Sequence, residues 1–207
     1  MAKKTDIPKK ALEAALDLAA TVGWRDVTMR DIADQAGVSL VELRDAYGSK
    51  EALVDAFVAG IDAEVLAGDN ADLADESVRD RLFDVMMRRF DALSPHKQAV
   101  GSIVMAATCE PGAALAGACR LVGSMRWMLE AAGVDSSGLA GRLRAKGLTA
   151  IHVDVMLTWM KDDSEDMAAT MAALDKRLDQ AEQMMNSLCR FARASRASGP
   201  EDAGEAA

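Results

Sequence analysis

Two short helical segments joined by a tight turn constrain the fold of this chain more than any other feature. Thr28 is followed three residues later by Asp31, and Ser39 is followed three residues later by Glu42. Each pair has the spacing of a capping box, in which a hydroxyl and a carboxylate satisfy the free backbone N–H groups at the start of a helix. Gly37 lies between the pairs, where a left-handed residue ends a helix. The pattern predicts a helix-turn-helix, whose second helix presents its outer face to solvent.

The segments on either side predict two further helices. Apolar residues recur at helical spacing from Pro8 to Val22, and Gly23 ends the pattern. Ser49 is placed to cap a fourth helix that carries Leu53, Ala56, Phe57 and Ile61. We therefore expect a three-helix head over residues 1–50.

The rest of the chain is also predicted to be helical. Ala, Leu and Met are plentiful and only four prolines are present, which favours an all-α fold. The polar stretch GDNADLADES, residues 68–77, predicts a loop. Helices are expected over about 77–93, 94–108, 113–132 and 137–161, with a last one from Met167. We assign a helical domain to 51–194 and a disordered tail to 195–207.

The last helix carries an apolar seam with alternating steps of four and three residues. This heptad spacing is typical of helices that pack along one another. The seam can pack inside its own subunit or against a second copy. Its members are Met167, Met171, Leu174, Leu178, Ala181, Met185 and Leu188.

Composition excludes some classes of function. A net charge of −9 argues against non-specific coating of nucleic acid, so any DNA contact must be local. Three widely spaced cysteines suggest neither a disulfide framework nor a zinc site, and no apolar run is long enough to span a membrane. His96 and His152 stand alone, and a buried, hydrogen-bonded His152 is favoured over a catalytic one. We expect a cytoplasmic protein without cofactor, metal or enzymatic activity.

The head resembles the N-terminal DNA-binding domain of the TetR family of bacterial repressors. That resemblance implies a TetR-like fold with a helical ligand-binding and dimerisation domain, and a homodimer that reads palindromic double-stranded DNA. On it we assign the DNA-contacting face to Thr28, Ser39, Val41, Glu42, Arg44, Asp45, Tyr47 and Lys50. The residues that carry the resemblance are Thr28, Ile32, Ala33, Ala36, Gly37, Val38, Ser39, Leu43, Tyr47, Lys50, Glu51 and Leu53.

The outer face of the second motif helix departs from the family pattern. Val41, Arg44 and Ala46 stand where the family usually has Gly, Tyr and His, and Glu42 and Asp45 add negative charge. Arg44 could reach a phosphate or a guanine, and a carboxylate can accept a hydrogen bond from cytosine. Glu42 is better explained as the capping partner of Ser39.

A second resemblance covers about Arg81 to Met185. Stretches such as RLFDVMMRRFDAL and MRWMLEAAG are similar to the lipid-binding accessory proteins of coenzyme Q (ubiquinone) biosynthesis, as are Trp127–Gly133 and the segment Asp163–Asp166. Those proteins have a TetR-like fold, and their implied role is to present an isoprenoid lipid to a partner enzyme.

The methionine-rich helices are open to two interpretations. Eleven of the thirteen methionines lie from Met86 onward, and Met adapts to irregular apolar space. These residues either fill a plain core or line a pocket for an apolar small molecule or lipid. The pocket hypothesis comprises Phe83, Met86, Phe90, Met105, Trp127, Met128, Met156 and Trp159.

The sequence thus supports two functional hypotheses. The leading one is a ligand-responsive transcriptional regulator of repressor type. The alternative is a lipid-binding accessory protein of ubiquinone biosynthesis with a vestigial DNA-binding head.

Overall fold

A computed structural model describes residues 6–68 and 75–197 of the chain. These residues form α-helices joined by short turns, and no strand occurs among them, which confirms the all-α expectation. Most of the predicted tail, 198–207, and most of the predicted loop at 68–77 lie outside the described residues. Residues 195–197 are helical rather than disordered, because the last helix continues to Ala197.

The head contains three helices: α1 (Ile7–Leu18), α2 (Met29–Ala36) and α3 (Leu40–Ala46). Ala11, Ile32 and Leu43 are fully buried, one from each helix, and they form the centre of the head. Gly37 takes a left-handed conformation with φ +65°, which allows α2 to end and α3 to begin three residues later.

The end of the first helix differs from the expectation. Residues Ala19–Gly23 form a π-helical turn, and Gly23 ends it with φ +103°. A wider turn rotates the following side chains about the helix axis. Val22, predicted to be buried, is therefore 56% exposed.

The remaining helices carry the chain from the head into the body. Helix α4 (Lys50–Leu66) crosses the predicted boundary at residue 50 and packs on both parts, contacting α1, α5 and α7. The body continues with α5 (Val78–Leu93), a 3₁₀ turn (Ser94–His96), α6 (Lys97–Thr108), α7 (Pro111–Ala131), α8 (Gly138–Trp159) and α9 (Ala168–Ala197). Helix α8 lies between α7 and α9.

The start of α9 is held by one buried carboxylate. Asp162 accepts hydrogen bonds from the backbone N–H and the hydroxyl of Thr170, both at 2.7 Å, and from the Ser164 hydroxyl. These bonds hold the pKa of Asp162 well below its usual range. They also anchor a turn in which Met167 adopts the left-handed conformation, with φ +51°.

Some residues of the apolar seam of α9 pack inside the subunit, and others are exposed and available to a second copy. Leu174 and Leu178 are buried against the body. Met171 and Met185 are 40% and 43% exposed. The middle of the seam therefore packs within the subunit, while part of it faces outward.

Candidate nucleic-acid interface and the body core behind it

Both helices of the helix-turn-helix begin with a complete capping box. The Thr28 hydroxyl accepts from the Asp31 N–H at 3.2 Å, and an Asp31 carboxylate oxygen accepts from the Thr28 N–H at 2.8 Å. Ser39 and Glu42 repeat this arrangement at 3.2 and 2.8 Å. The hydroxyls of Thr28 and Ser39, both assigned to the DNA face, are thus engaged in holding the two helices.

Glu42 serves as a capping group, as favoured from the sequence. Its carboxylate accepts from both the backbone N–H and the hydroxyl of Ser39, each at 2.8 Å. These hydrogen bonds lower the pKa of Glu42. The side chain is exposed, but its negative charge is directed to the N-terminus of α3.

The exposed face of α3 is formed by an apolar pair and an ion pair. Leu40 and Val41 are 41% and 59% exposed. The Nε and Nη2 atoms of Arg44 donate to one oxygen of Asp45 at 3.2 and 2.9 Å, and both side chains remain largely in solvent. Asp45 therefore offsets the one positive charge of α3.

Lys50 and Tyr47 are turned away from this face. The Lys50 ammonium donates to the carbonyl oxygens of Trp24 and Val27, at 2.5 and 2.7 Å, and lies 4.6 Å from the centroid of the Trp24 ring. Burial lowers the pKa of Lys50 and raises that of Tyr47, which is half-buried at the end of α3. Lys50 fastens α4 to the turn after α1.

One polar contact connects the head directly to the body, and a second connects the body to α4, the helix that supports the head. The Trp24 N–H donates to the Ser102 hydroxyl of α6 at 2.6 Å. Arg120 of α7 pairs with Asp55 of α4 at 2.5 Å. The orientation of the head is thus tied to helices that belong to the body.

The residues of the pocket hypothesis fall into three groups. Met86, Phe90, Met128 and Trp159 are fully buried and belong to one packed core, with the Phe90 and Trp159 rings 5.8 Å apart. Phe83 and Met156 lie partly buried at its edge. Met105 and Trp127 are 65% and 57% exposed, so the structure does not bring them together with the others.

A buried polar cluster joins three helices inside this core. Arg89 of α5, 2% exposed, forms an ion pair with Asp62 of α4. The Ser124 hydroxyl of α7 donates to the same Asp62 oxygen at 2.6 Å. Burial lowers the pKa of Arg89, and the charge of Asp62 opposes that change. Removing one partner of such a pair costs about 3–5 kcal/mol.

His152 of α8 is fully buried beside this cluster and makes no hydrogen bond to the residues that the structure describes. Neither ring nitrogen has a partner, and the Nε atom of Arg89 also lacks one. The imidazole stacks on Phe90 with ring centroids 5.2 Å apart. Burial, and secondarily the positive charge of Arg89, lower the pKa of His152 to about 3. The ring is therefore neutral, and the predicted hydrogen bond for it was wrong.

Sequence reasoning overlooked several of these residues. Leu40 was not assigned to the DNA-contacting face, although it is 41% exposed on α3 beside Val41. Asp62 and Arg89 were not singled out from the sequence. Each is next to an apolar residue that is buried in the structure: Ile61 precedes Asp62, and Phe90 follows Arg89. A charged residue in such a position indicates a possible buried ion pair. Such charges almost always have a partner when buried.

Within the described part of the chain, no helix combines the length and apolar character needed to cross a membrane. The same residues contain no group of three or more His, Cys, Asp or Glu side chains arranged to hold a metal ion.

Comparison with known families agrees with this geometry. The model of the TetR family of bacterial regulatory proteins matches residues 11–57, which span α1 to the middle of α4. This segment is therefore similar to the N-terminal domain of TetR-family regulators. The TetR-type head carries the two capping boxes, the Gly37 turn and the Lys50 contacts.

Solved structures extend the likeness to the whole fold. A TetR transcriptional regulator from Nitrosomonas europaea ATCC 19718 is 24% identical, covers 85% of this chain and 98% of its own, and superposes with a TM-score of 0.68. One from Rhodococcus sp. RHA1 is 20% identical over 86% and 97% of the two chains, with a TM-score of 0.63. At these identities the comparison establishes the TetR-like fold. No curated protein matches the sequence.

The body matches a second family. The COQ9 model matches residues 128–185, which run from the end of α7 through α8 into α9. The second resemblance inferred from the sequence is therefore confirmed over this part. A TetR-type head and a COQ9-like segment occur in one chain.

Proposed function

We propose that this protein is a DNA-binding transcriptional regulator of repressor type whose body responds to an apolar ligand. The observation that carries the proposal is the TetR-type head, in which Leu40, Val41, Arg44 and Asp45 project from α3 into solvent. Capping boxes at both motif helices hold that face in a fixed orientation.

Sequence reading by this face would depend on Arg44 and Asp45. An arginine recognises guanine through two hydrogen bonds, and a carboxylate accepts from the amino group of cytosine. The two side chains are paired with each other at 2.9 Å in the free protein. Binding would exchange this solvent-exposed ion pair, which is worth at most about 1 kcal/mol, for contacts with bases or phosphates.

The decisive experiment is selection from a random double-stranded DNA library at two salt concentrations. We expect a palindrome to be enriched, and Arg44→Ala to reduce affinity for it by about 5- to 150-fold, the loss typical of one base-contacting arginine. Arg126→Ala, an exposed arginine on α7, is the matched control and should leave binding unchanged. If no sequence is enriched at either salt concentration, the proposal fails.

The Asp45→Ala variant distinguishes sequence-specific recognition of DNA from non-specific electrostatic attraction to it. Removing this carboxylate leaves Arg44 unpaired and makes the face less negative, so binding to random DNA should strengthen and become more salt-dependent. Discrimination among sequences should decrease if Asp45 contributes to it.

We further propose that the protein acts as a homodimer through the exposed face of α8. Leu139, Leu143, Ala150, Val153 and Leu157 follow one line at heptad spacing, with Lys146 among them. Beside this line, Ala118, Cys119 and Val122 of α7 complete an open apolar groove of about 510 Å³. Heptad stripes of this kind pair with a second helix, and pairing would place two heads side by side on a palindrome.

The alternative is a lipid-binding accessory protein whose head no longer reads DNA. The COQ9 match over residues 128–185 and the neutralised outer face of α3 favour it. Organic extraction of the purified protein followed by mass spectrometry should then recover an isoprenoid lipid. A lipid-free extract together with an enriched palindrome would reject this alternative.

A further inference from the structure

We infer that the buried cluster of Arg89 and His152 is the polar end of a ligand site, and that it takes a neutral aromatic molecule with a carbonyl-type acceptor oxygen. The inference rests on the proposed function in one respect, since this ligand would be the effector to which the body responds.

The first step of the argument is the unused hydrogen-bonding capacity of the two side chains. Arg89 uses Nη1 for Asp62 and for the Met128 sulfur, and its Nε–H has no acceptor. His152 is neutral and offers one N–H donor and one acceptor nitrogen, both without a partner. Buried polar groups in folded proteins almost always have partners, so these are groups that a bound molecule can satisfy.

The charge balance of the cluster favours a neutral ligand oxygen over a charged one. Asp62 already balances Arg89, and His152 carries no charge. A carboxylate ligand would therefore bring an uncompensated charge into the core, which is strongly unfavourable. A neutral carbonyl oxygen accepts from Arg89 Nε–H or the imidazole N–H without adding charge.

The side chains around the cluster favour an aromatic, apolar ligand. The Phe90 ring lies against both His152 and Trp159, so flat aromatic faces border the polar groups. Met86, Met125 and Met128 are fully buried in the same core. Methionine has three rotatable bonds and repacks readily, which would allow an aromatic ring to enter between them.

The test compares acetophenone with cumene, which has the same number of heavy atoms and a similar size but no acceptor oxygen. Binding is followed by the ¹³C-methyl signals of Met86, Met125 and Met128, assigned by single Met→Leu variants. We expect acetophenone to shift these signals and to bind at least about tenfold more tightly than cumene, because a site built for a hydrogen bond rejects the analogue that lacks it.

Two variants assign the preference to the cluster. His152→Phe keeps a flat ring and removes both nitrogens, so it should reduce the preference for acetophenone to about twofold or less. His96→Phe makes the same exchange at the start of α6, where His96 lies 5.3 Å from Phe57, and should retain the preference. If His152→Phe does not fold, the ¹⁵N signals of the His152 ring in the unaltered protein provide the readout and should move with acetophenone.

Equal affinity for the two probes, no binding of acetophenone, or ¹⁵N signals that stay fixed would overturn the inference. DNA selection without ligand reports separately on the proposed function. An enriched palindrome with no acetophenone binding would refute this site alone, whereas acetophenone binding without an enriched sequence would refute the DNA-binding role alone.

Discussion

Asp62 holds three helices through a single carboxylate oxygen. It belongs to α4, and that oxygen accepts from Arg89 of α5 and from Ser124 of α7. Helix α4 also begins at Lys50, which fastens it to the head. Asp62 is therefore the residue at which the core of the body and the helix supporting the head meet.

Asp62→Ala should destabilise the protein strongly. The substitution leaves the Arg89 guanidinium, 2% exposed, without its counter-charge, so the free energy of unfolding should fall by about 3–5 kcal/mol. Asp55→Ala on the same helix is the matched control. It removes a half-exposed ion pair with Arg120, and should cost at most about 1 kcal/mol. Urea unfolding of both variants measures the difference, and equal losses would contradict it.

His152 should make stability depend on pH in a predictable direction. Its folded pKa of about 3 lies below the unfolded value near 6.5, so between these limits the unfolded chain binds a proton that the folded one does not. Proton binding by the unfolded chain therefore lowers the free energy of unfolding as the pH falls from about 6.5 towards 3. Above pH 6.5 His152 is neutral in both states, and this loss is absent.

Urea unfolding at pH 7 and pH 5 tests this dependence. The loss attributable to His152 should be about 2 kcal/mol, and His152→Phe should remove that part while His96→Phe retains it. Identical pH dependence in the unaltered protein and in His152→Phe would show that His152 does not contribute.

At the scale of elements, the first turn of α8 requires a glycine. A side-chain carbon at Gly141 would overlap the backbone carbonyl of Ser136, which cannot move like a flexible side chain. Gly147, six residues later on the same helix, has open space around it. The two positions differ in packing, although both are glycines within one helix.

Gly141→Ala should therefore lower the free energy of unfolding by about 1–3 kcal/mol through overpacking. Gly147→Ala should raise it by up to about 1 kcal/mol, because alanine favours the helical conformation. Urea unfolding monitored by circular dichroism distinguishes the two signs. Two changes of the same sign would contradict the packing argument.

The elements that the sequence predicted well are those with local signals. The capping boxes at Thr28 and Ser39, and the turn at Gly37, depend on residues within a few positions of one another. The π-helical turn after α1 has no comparable local signal, which is why Val22 was misplaced.

Contacts between distant residues could not be predicted in this way. The partnership of Lys50 with Trp24 and Val27, and that of Asp62 with Arg89, join residues more than twenty positions apart. Their pairing depends on how the helices pack, which periodicity within one helix does not reveal. The exposure of Trp127, assigned to an interior pocket, is a further example.

At the scale of the whole molecule, the proposed dimer depends on the α8 stripe. Val153→Glu places a charge in the apolar groove between α7 and α8 and should raise the dimer dissociation constant by at least about tenfold, because an unpaired charge in an apolar interface is costly. Val22→Glu, an exposed valine of the head, should leave association unchanged. Sedimentation velocity over a range of concentrations measures both variants, and a Val153→Glu protein that still associates like the unaltered one would place the interface elsewhere.

The three tryptophans give the molecule an intrinsic optical readout. Trp24 lies in the head beneath the Lys50 ammonium, Trp127 is on the surface of α7, and Trp159 is in the core next to Phe90. Their fluorescence should accordingly differ in emission wavelength and in quenching by acrylamide, with Trp127 the most accessible. Variants that retain one tryptophan each would allow loosening of the head to be followed separately from melting of the core, without any attached dye.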